Sequence, residues 1–158
     1  MARVLAVVAA IALCGYGLFH WVWRPVHCNA EITALDAQTD LAAETGNDYD
    51  RTVRARNNLA RLAALRESCA AEVRVPVMMA ANDLLLGNAD DAARHYEEAL
   101  RIEERPEIEA ALARVEVQQG KLEQGIERYV RVARFQPAIL QELGDEELYR
   151  RITARLRL

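Results

Sequence analysis

Cysteines, histidines and a dense acidic stretch are the residues in this 158-residue chain whose types suit chemistry. Cys14, Cys28 and Cys69 show no CxxC, CxxCH or Cys/His metal spacing, so neither a metal ligand set nor a dithiol redox centre is indicated. His20 and His27 flank the end of an apolar stretch, and His95 occupies an amphipathic helix at a position expected to face outward. Surface or interfacial imidazoles are therefore expected. The carboxylates between Glu97 and Glu109 lie at i, i+1 spacing on a helix flank and read as solvated surface. No phosphate-cradling glycine loop, nucleophile elbow or zinc-protease pair occurs. With no nucleophile and base to pair, a non-enzyme without metal or cofactor is expected.

Disulfide chemistry remains. Residues 28–69 read as two helices broken at Thr45-Gly46-Asn47-Asp48, with Asp48 or Asp50 capping the second. Ile32, Leu35, Thr39 and Ala42 recur at helical spacing in the first helix, as do Ala55, Leu59, Leu62 and Leu65 in the second. An antiparallel hairpin turning between Asp48 and Tyr49 puts Cys28, which opens the first helix, opposite Cys69, which closes the second. A disulfide there would imply an oxidising compartment; the alternative is two ordinary buried thiols. Arg51, Arg54, Arg56, Arg61 and Arg66 decorate the second helix. They read as a solvated face paired with intramolecular acids. The alternative is a docking face for an acidic partner or anionic headgroups.

The amino terminus sets the location. Val4 to Trp23 carries no charge, and at about 1.5 Å per residue a helix of that length matches a hydrocarbon layer about 30 Å thick. Tyr16, Trp21 and Trp23 suit the headgroup interface, and Arg24-Pro25 is expected to end the span on the wet side. A cleaved leader, a lipoprotein signal and a buried core helix are the competing readings. An uncleaved single-pass anchor in the inner membrane, with the body in the periplasm, is preferred. The chain's net charge is −4, and with Arg3 and Arg24 assigned to the leader the body is at −6. That sign argues against nucleic acid as a partner.

The remaining elements repeat. Gly87 matches Gly120, Ala92 matches Gly125, Tyr96 matches Tyr129 and Ala99 matches Val132, each pair 33 residues apart. Such a period marks stacked helical repeats. Residues 73–137 resemble two tetratricopeptide repeats. Met79-Ala80 and Leu112-Ala113 fill the large-small pair of helix A, and Gly87 and Gly120 fill the turn. Ala92, Tyr96 and Ala99, then Gly125, Tyr129 and Val132, fill the helix B pattern. Pro137 stands at the terminal position, while Pro106 is shifted by two. Pro76 and Glu109 depart where tryptophan is common, and Asp83 and Glu116 where tyrosine is common.

The expected fold is all-α. A transmembrane anchor (1–25) precedes a helical hairpin (26–72), two repeats (73–137) and a C-terminal capping segment (138–158), with antiparallel pairs forming a short superhelix. The resemblance implies a concave helix A surface that binds protein. Val77, Ala81, Leu84, Ala110, Arg114 and Val117 are its candidate contact residues. A membrane-anchored adaptor or scaffold in an envelope complex is expected, serving a task such as polysaccharide export, secretion or cytochrome maturation. The alternatives are a homo-oligomeric structural element that seals its open end by self-association, and a non-catalytic subunit of a membrane enzyme.

Overall fold

The computed structural model describes residues 11–19 and 23–157. From Arg24 onward seven α-helices follow one another: α1 (Arg24–Glu44), α2 (Asp48–Ser68), α3 (Arg74–Leu85), α4 (Ala89–Ile102), α5 (Pro106–Gln118), α6 (Leu122–Phe135) and α7 (Glu146–Leu156). A 3-10 helix, Pro137–Glu142, links α6 to α7. Short connections make successive helices antiparallel neighbours, so α1, α3 and α5 run the same way. Pairs α1/α2, α3/α4 and α5/α6 stack in order, and α7 packs on α6.

Local chemistry explains the boundaries. Gly87 and Gly120 hold φ of 77° and 80°. Behind each, the next amide reaches back: Asn88 N–H to the Asp83 carbonyl at 2.9 Å, and Lys121 N–H to the Glu116 carbonyl at 2.8 Å. This is the Schellman closure, which needs a left-handed residue that glycine adopts without Cβ strain. Asp145 accepts from the amides of Glu147 and Leu148 and so starts α7. Asn47, not Asp48 or Asp50, caps α2, accepting from Tyr49 N–H at 2.9 Å. The turn accordingly falls at 45–47, earlier than expected.

The thiols meet nonetheless. Cys28 and Cys69 are placed as a disulfide with Cα atoms 5.8 Å apart. Beside them Ile32, Leu35, Leu62, Val75 and Met78 form the first of three core clusters. Deeper in that layer Asn82 donates to Thr39 Oγ1 at 3.0 Å and to the Met78 carbonyl at 2.8 Å, and accepts from Asn58 at 3.3 Å. All three side chains are buried. The network ties α1, α2 and α3 at one level, because slipping any helix would strand a buried amide.

One boundary corrects the sequence reading. Arg24-Pro25 does not end a helix: Pro25 lies in the first turn of α1, and Trp23 before it is already helical. Proline is tolerated there because the first turn's N–H groups have no intrahelical acceptor. Cys28 therefore sits past that turn instead of opening the helix. Residues 11–19 are also helical, with Ile11, Leu13, Tyr16, Leu18 and Phe19 exposed. Among the described residues no helix is long and apolar enough to cross a membrane. Residues 4–10 and 20–22 of the expected 4–23 span lie outside the described residues.

Candidate interaction face

The second and third clusters hold the two repeats. Ala80, Ala92, Tyr96, Ala99 and Leu112 pack in one, and Ala113, Ile126, Tyr129, Val132 and Ala133 in the other. Met79 joins the first cluster instead, facing the hairpin. The small-residue seam is tightest at Gly125. A Cβ there would lie 2.6 Å from Val117 Cγ2 and 2.8 Å from the Ala113 carbonyl oxygen. The matching Ala92 has room for its methyl and is fully buried, so the α5/α6 crossing is the closer of the two. Pro137 opens the 3-10 helix, whose Ile139 and Leu140 close the third cluster.

Asp83 and Glu116, the departures from the tyrosine pattern, are both buried acids that reach across to helix B. Glu116 accepts from Arg128 Nε at 2.8 and 2.9 Å. Asp83 lies 3.5 Å from His95 Nε2 and accepts from Asn88 at 3.4 Å. His95 and Arg128 are 33 residues apart, like Asp83 and Glu116, so each repeat sets an acid of helix A against a basic side chain of helix B, by hydrogen bonds only in the second. His95 is thereby corrected: it is mostly buried, between Asp83 and Glu98, and does not face outward. Burial pushes the Asp83 carboxyl up, opposed by its hydrogen bond from Asn88 and by His95.

The arginines of α2 divide. Arg51 pairs with Asp48, Arg61 with Glu31 and Arg66 with Glu98 through two hydrogen bonds. These bear out the intramolecular pairing. Arg54 and Arg56 make no ion pair among the described residues.

The solvent-facing rows of α1, α3 and α5 form the candidate face. Arg74 at the start of α3 donates to Asn29 of α1 at 2.7 Å and feels Asp36. Glu72 accepts from Arg74 at 2.9 Å, and this hydrogen bond holds the Glu72 carboxyl below the usual range. Asn29 and Asp36 therefore flank the row Arg74, Val77, Ala81 and Leu84, and Asp40 lies one turn beyond Asp36 on α1. The flank of α1 toward α2 carries Glu31 and Gln38, which meet Arg61. Val77 and Leu84 are half-buried, sharing a cluster with Ala111 of α5. Ala81 is half-buried and Arg114 is exposed.

Val117 packs on the third cluster, and Ala110 is buried within it. Of the six candidate contacts, Ala110 thus offers little surface. A cavity of about 250 Å³ opens beside it, lined by Ala110, Ala111, Ile139 and Leu143 together with Tyr129 and the polar Glu107, Arg114 and Gln136. Tyr96 lies close enough for Arg114 to act on it, although burial dominates and raises its hydroxyl pKa. No group of His, Cys, Asp and Glu side chains among the described residues suits a metal ion.

No protein-family model matches the chain, and no curated protein matches it. Solved structures do. A thermophilic TPR protein of Thermus thermophilus superposes with a TM-score of 0.65 at 21% identity, over 91% of this chain and 70% of that one. The Yersinia enterocolitica type III secretion translocator chaperone SycD does so with a TM-score of 0.50 at 19% identity, over 78% and 81%. At these identities the likeness is one of fold, and it supports an all-α, TPR-like helical-repeat architecture.

Proposed function

We propose that the chain is a membrane-anchored adaptor that binds a protein partner on the inner face of its repeats and has no catalysis of its own. The half-buried apolar row Val77, Ala81 and Leu84, framed by charged rows on α1 and α5, carries the reading. Partly exposed apolar side chains between polar rims are the usual makeup of a binding groove. Two repeats and a hairpin offer a short face, which suits docking onto a larger assembly better than stand-alone capture. The second solved neighbour is a translocator chaperone, a role compatible with a protein client.

Two further features bear on location. Ile11, Leu13 and Leu18 in the helical residues 11–19 are exposed, which fits an anchor in the inner membrane. The cysteine pair fits a body in the oxidising periplasm. An accessory subunit of an envelope complex combines these features. Purification of the full chain in mild detergent, with light scattering of the product, tests the proposal. A hetero-complex that Ala81→Trp disrupts is expected. A discrete homo-oligomer with no other subunit favours the structural-element alternative and contradicts the adaptor.

A further inference from the structure

Arg94, Arg105, Arg128 and Arg131, on or beside the two repeats, are each paired with an acid. Arg114, like Arg101 and Arg134, makes no ion pair among the described residues; it is exposed, and it lines a cavity whose walls mix the apolar Ala110, Ala111, Ile139 and Leu143 with the polar Glu107 and Gln136. A guanidinium beside a hole of about 250 Å³ has the makings of a two-part contact, a carboxylate for the charge and an apolar side chain for the hole. Glu107 lines the same cavity from two helical turns away but makes no ion pair with Arg114.

The opposite flank has the other sign. Asp36 and Asp40, one turn apart on α1, are exposed and likewise make no ion pair among the described residues. Arg74 feels Asp36, but it pairs with Glu72 and hydrogen-bonds Asn29, so the flank keeps a net negative charge. Between the flanks lie Val77, Ala81 and Leu84. The face therefore runs from acid, across an apolar strip, to base.

Resting on the adaptor reading of this same face, we propose that its partner is a dipolar amphipathic peptide segment, which places an acidic side chain and an adjacent apolar one at Arg114 and basic side chains along Asp36 and Asp40. A uniformly acidic segment meets Asp36 and Asp40, and a uniformly basic one meets Arg114. Only a segment with both signs, laid in one direction, satisfies both flanks. Exposed charges of this kind set direction and partner choice more than total affinity.

The test is a selection of phage-displayed random 12-residue peptides on the full chain held in a mild detergent. It is repeated with Arg114→Glu, Asp36→Lys/Asp40→Lys and Ala81→Trp, each checked for unchanged helical circular dichroism. The expected wild-type pool carries an acid beside an apolar residue, with basic residues several positions away. Arg114→Glu is expected to lose the acid, and the α1 double variant the basic residues. A synthetic peptide from the wild-type pool is expected to bind Arg114→Glu roughly tenfold more weakly. Peptides blocked by Ala81→Trp but indifferent to both charge reversals overturn the dipolar partner and leave the adaptor reading standing. No enrichment, or peptides indifferent to Ala81→Trp, overturns both.

Discussion

Gly125→Ala sets two effects of opposite sign against each other. Alanine in a helix interior is favoured over glycine by about 1 kcal/mol. The added methyl would sit 2.6 Å from Val117 Cγ2, 2.8 Å from the Ala113 carbonyl oxygen and 3.3 Å from Val117 N. The Val117 methyl has little freedom, being β-branched on a helix. The carbonyl and amide belong to the backbone of α5 and cannot rotate away. Relief requires α5 and α6 to separate along a seam that buries Ala113, Ile126 and Tyr129. Overpacking of this kind costs about 1–3 kcal/mol, and strain against backbone belongs at the upper end. The net expectation is a loss of about 1–2 kcal/mol despite the better helix former. Urea unfolding of the full chain in a mild detergent, followed by far-ultraviolet circular dichroism, reads it. Gly144→Ala is the control, since a Cβ there meets nothing within 4 Å; its midpoint is expected to hold. A Gly125→Ala midpoint equal to or above wild type, with an unchanged slope, would refute the close crossing.

Other perturbations test other layers. Replacing Cys28 and Cys69 by serine opens a loop with a sequence separation of 41; the chain-entropy model gives a loss of about 4 kcal/mol, and a change under about 1 kcal/mol would mean the bond does not form. Arg128→Ala leaves the buried Glu116 carboxylate without its two hydrogen bonds and is expected to lower stability by about 2–3 kcal/mol; an unchanged urea midpoint contradicts the clasp. Burial raises the Asp83 carboxyl, so the folded form holds this proton more tightly than the unfolded chain. Stability is then full below the unfolded pKa and falls as pH rises through the folded one. Asp83→Asn is therefore expected to gain on wild type as pH rises above the ordinary aspartate range, and a difference that does not move with pH rejects the shift.

The turn glycines, the start of α7 at Asp145 and the cysteine pairing were legible because each follows from local rules or simple hairpin geometry. Pro25 misled because proline marks both the end of one helix and the first turn of the next. The clasps Asp83–His95 and Glu116–Arg128 were hidden because both acids registered only as departures from an aromatic pattern. Their signal was present: acid and base recur together at the 33-residue period. The network of Asn82, Asn58 and Thr39 had no such signal, since it joins three helices across long separations. Burial of Ala110 depends on the 3-10 helix that follows α6, which the repeat period does not specify. Val77, Ala81 and Leu84 on α3 keep part of their surface open, because α1, α2 and α4 take the other faces of that helix.

Whether the inner face is where a partner sits can be read with a photo-crosslinker. Benzoylphenylalanine is placed at Ala81, on the inner row of α3, and separately at Glu97, an exposed position on α4, in the full chain in its native membrane. A discrete adduct with another protein at position 81 and none at 97 is predicted. Adducts at 97 alone, or equally at both, would contradict a binding face on helices α1, α3 and α5.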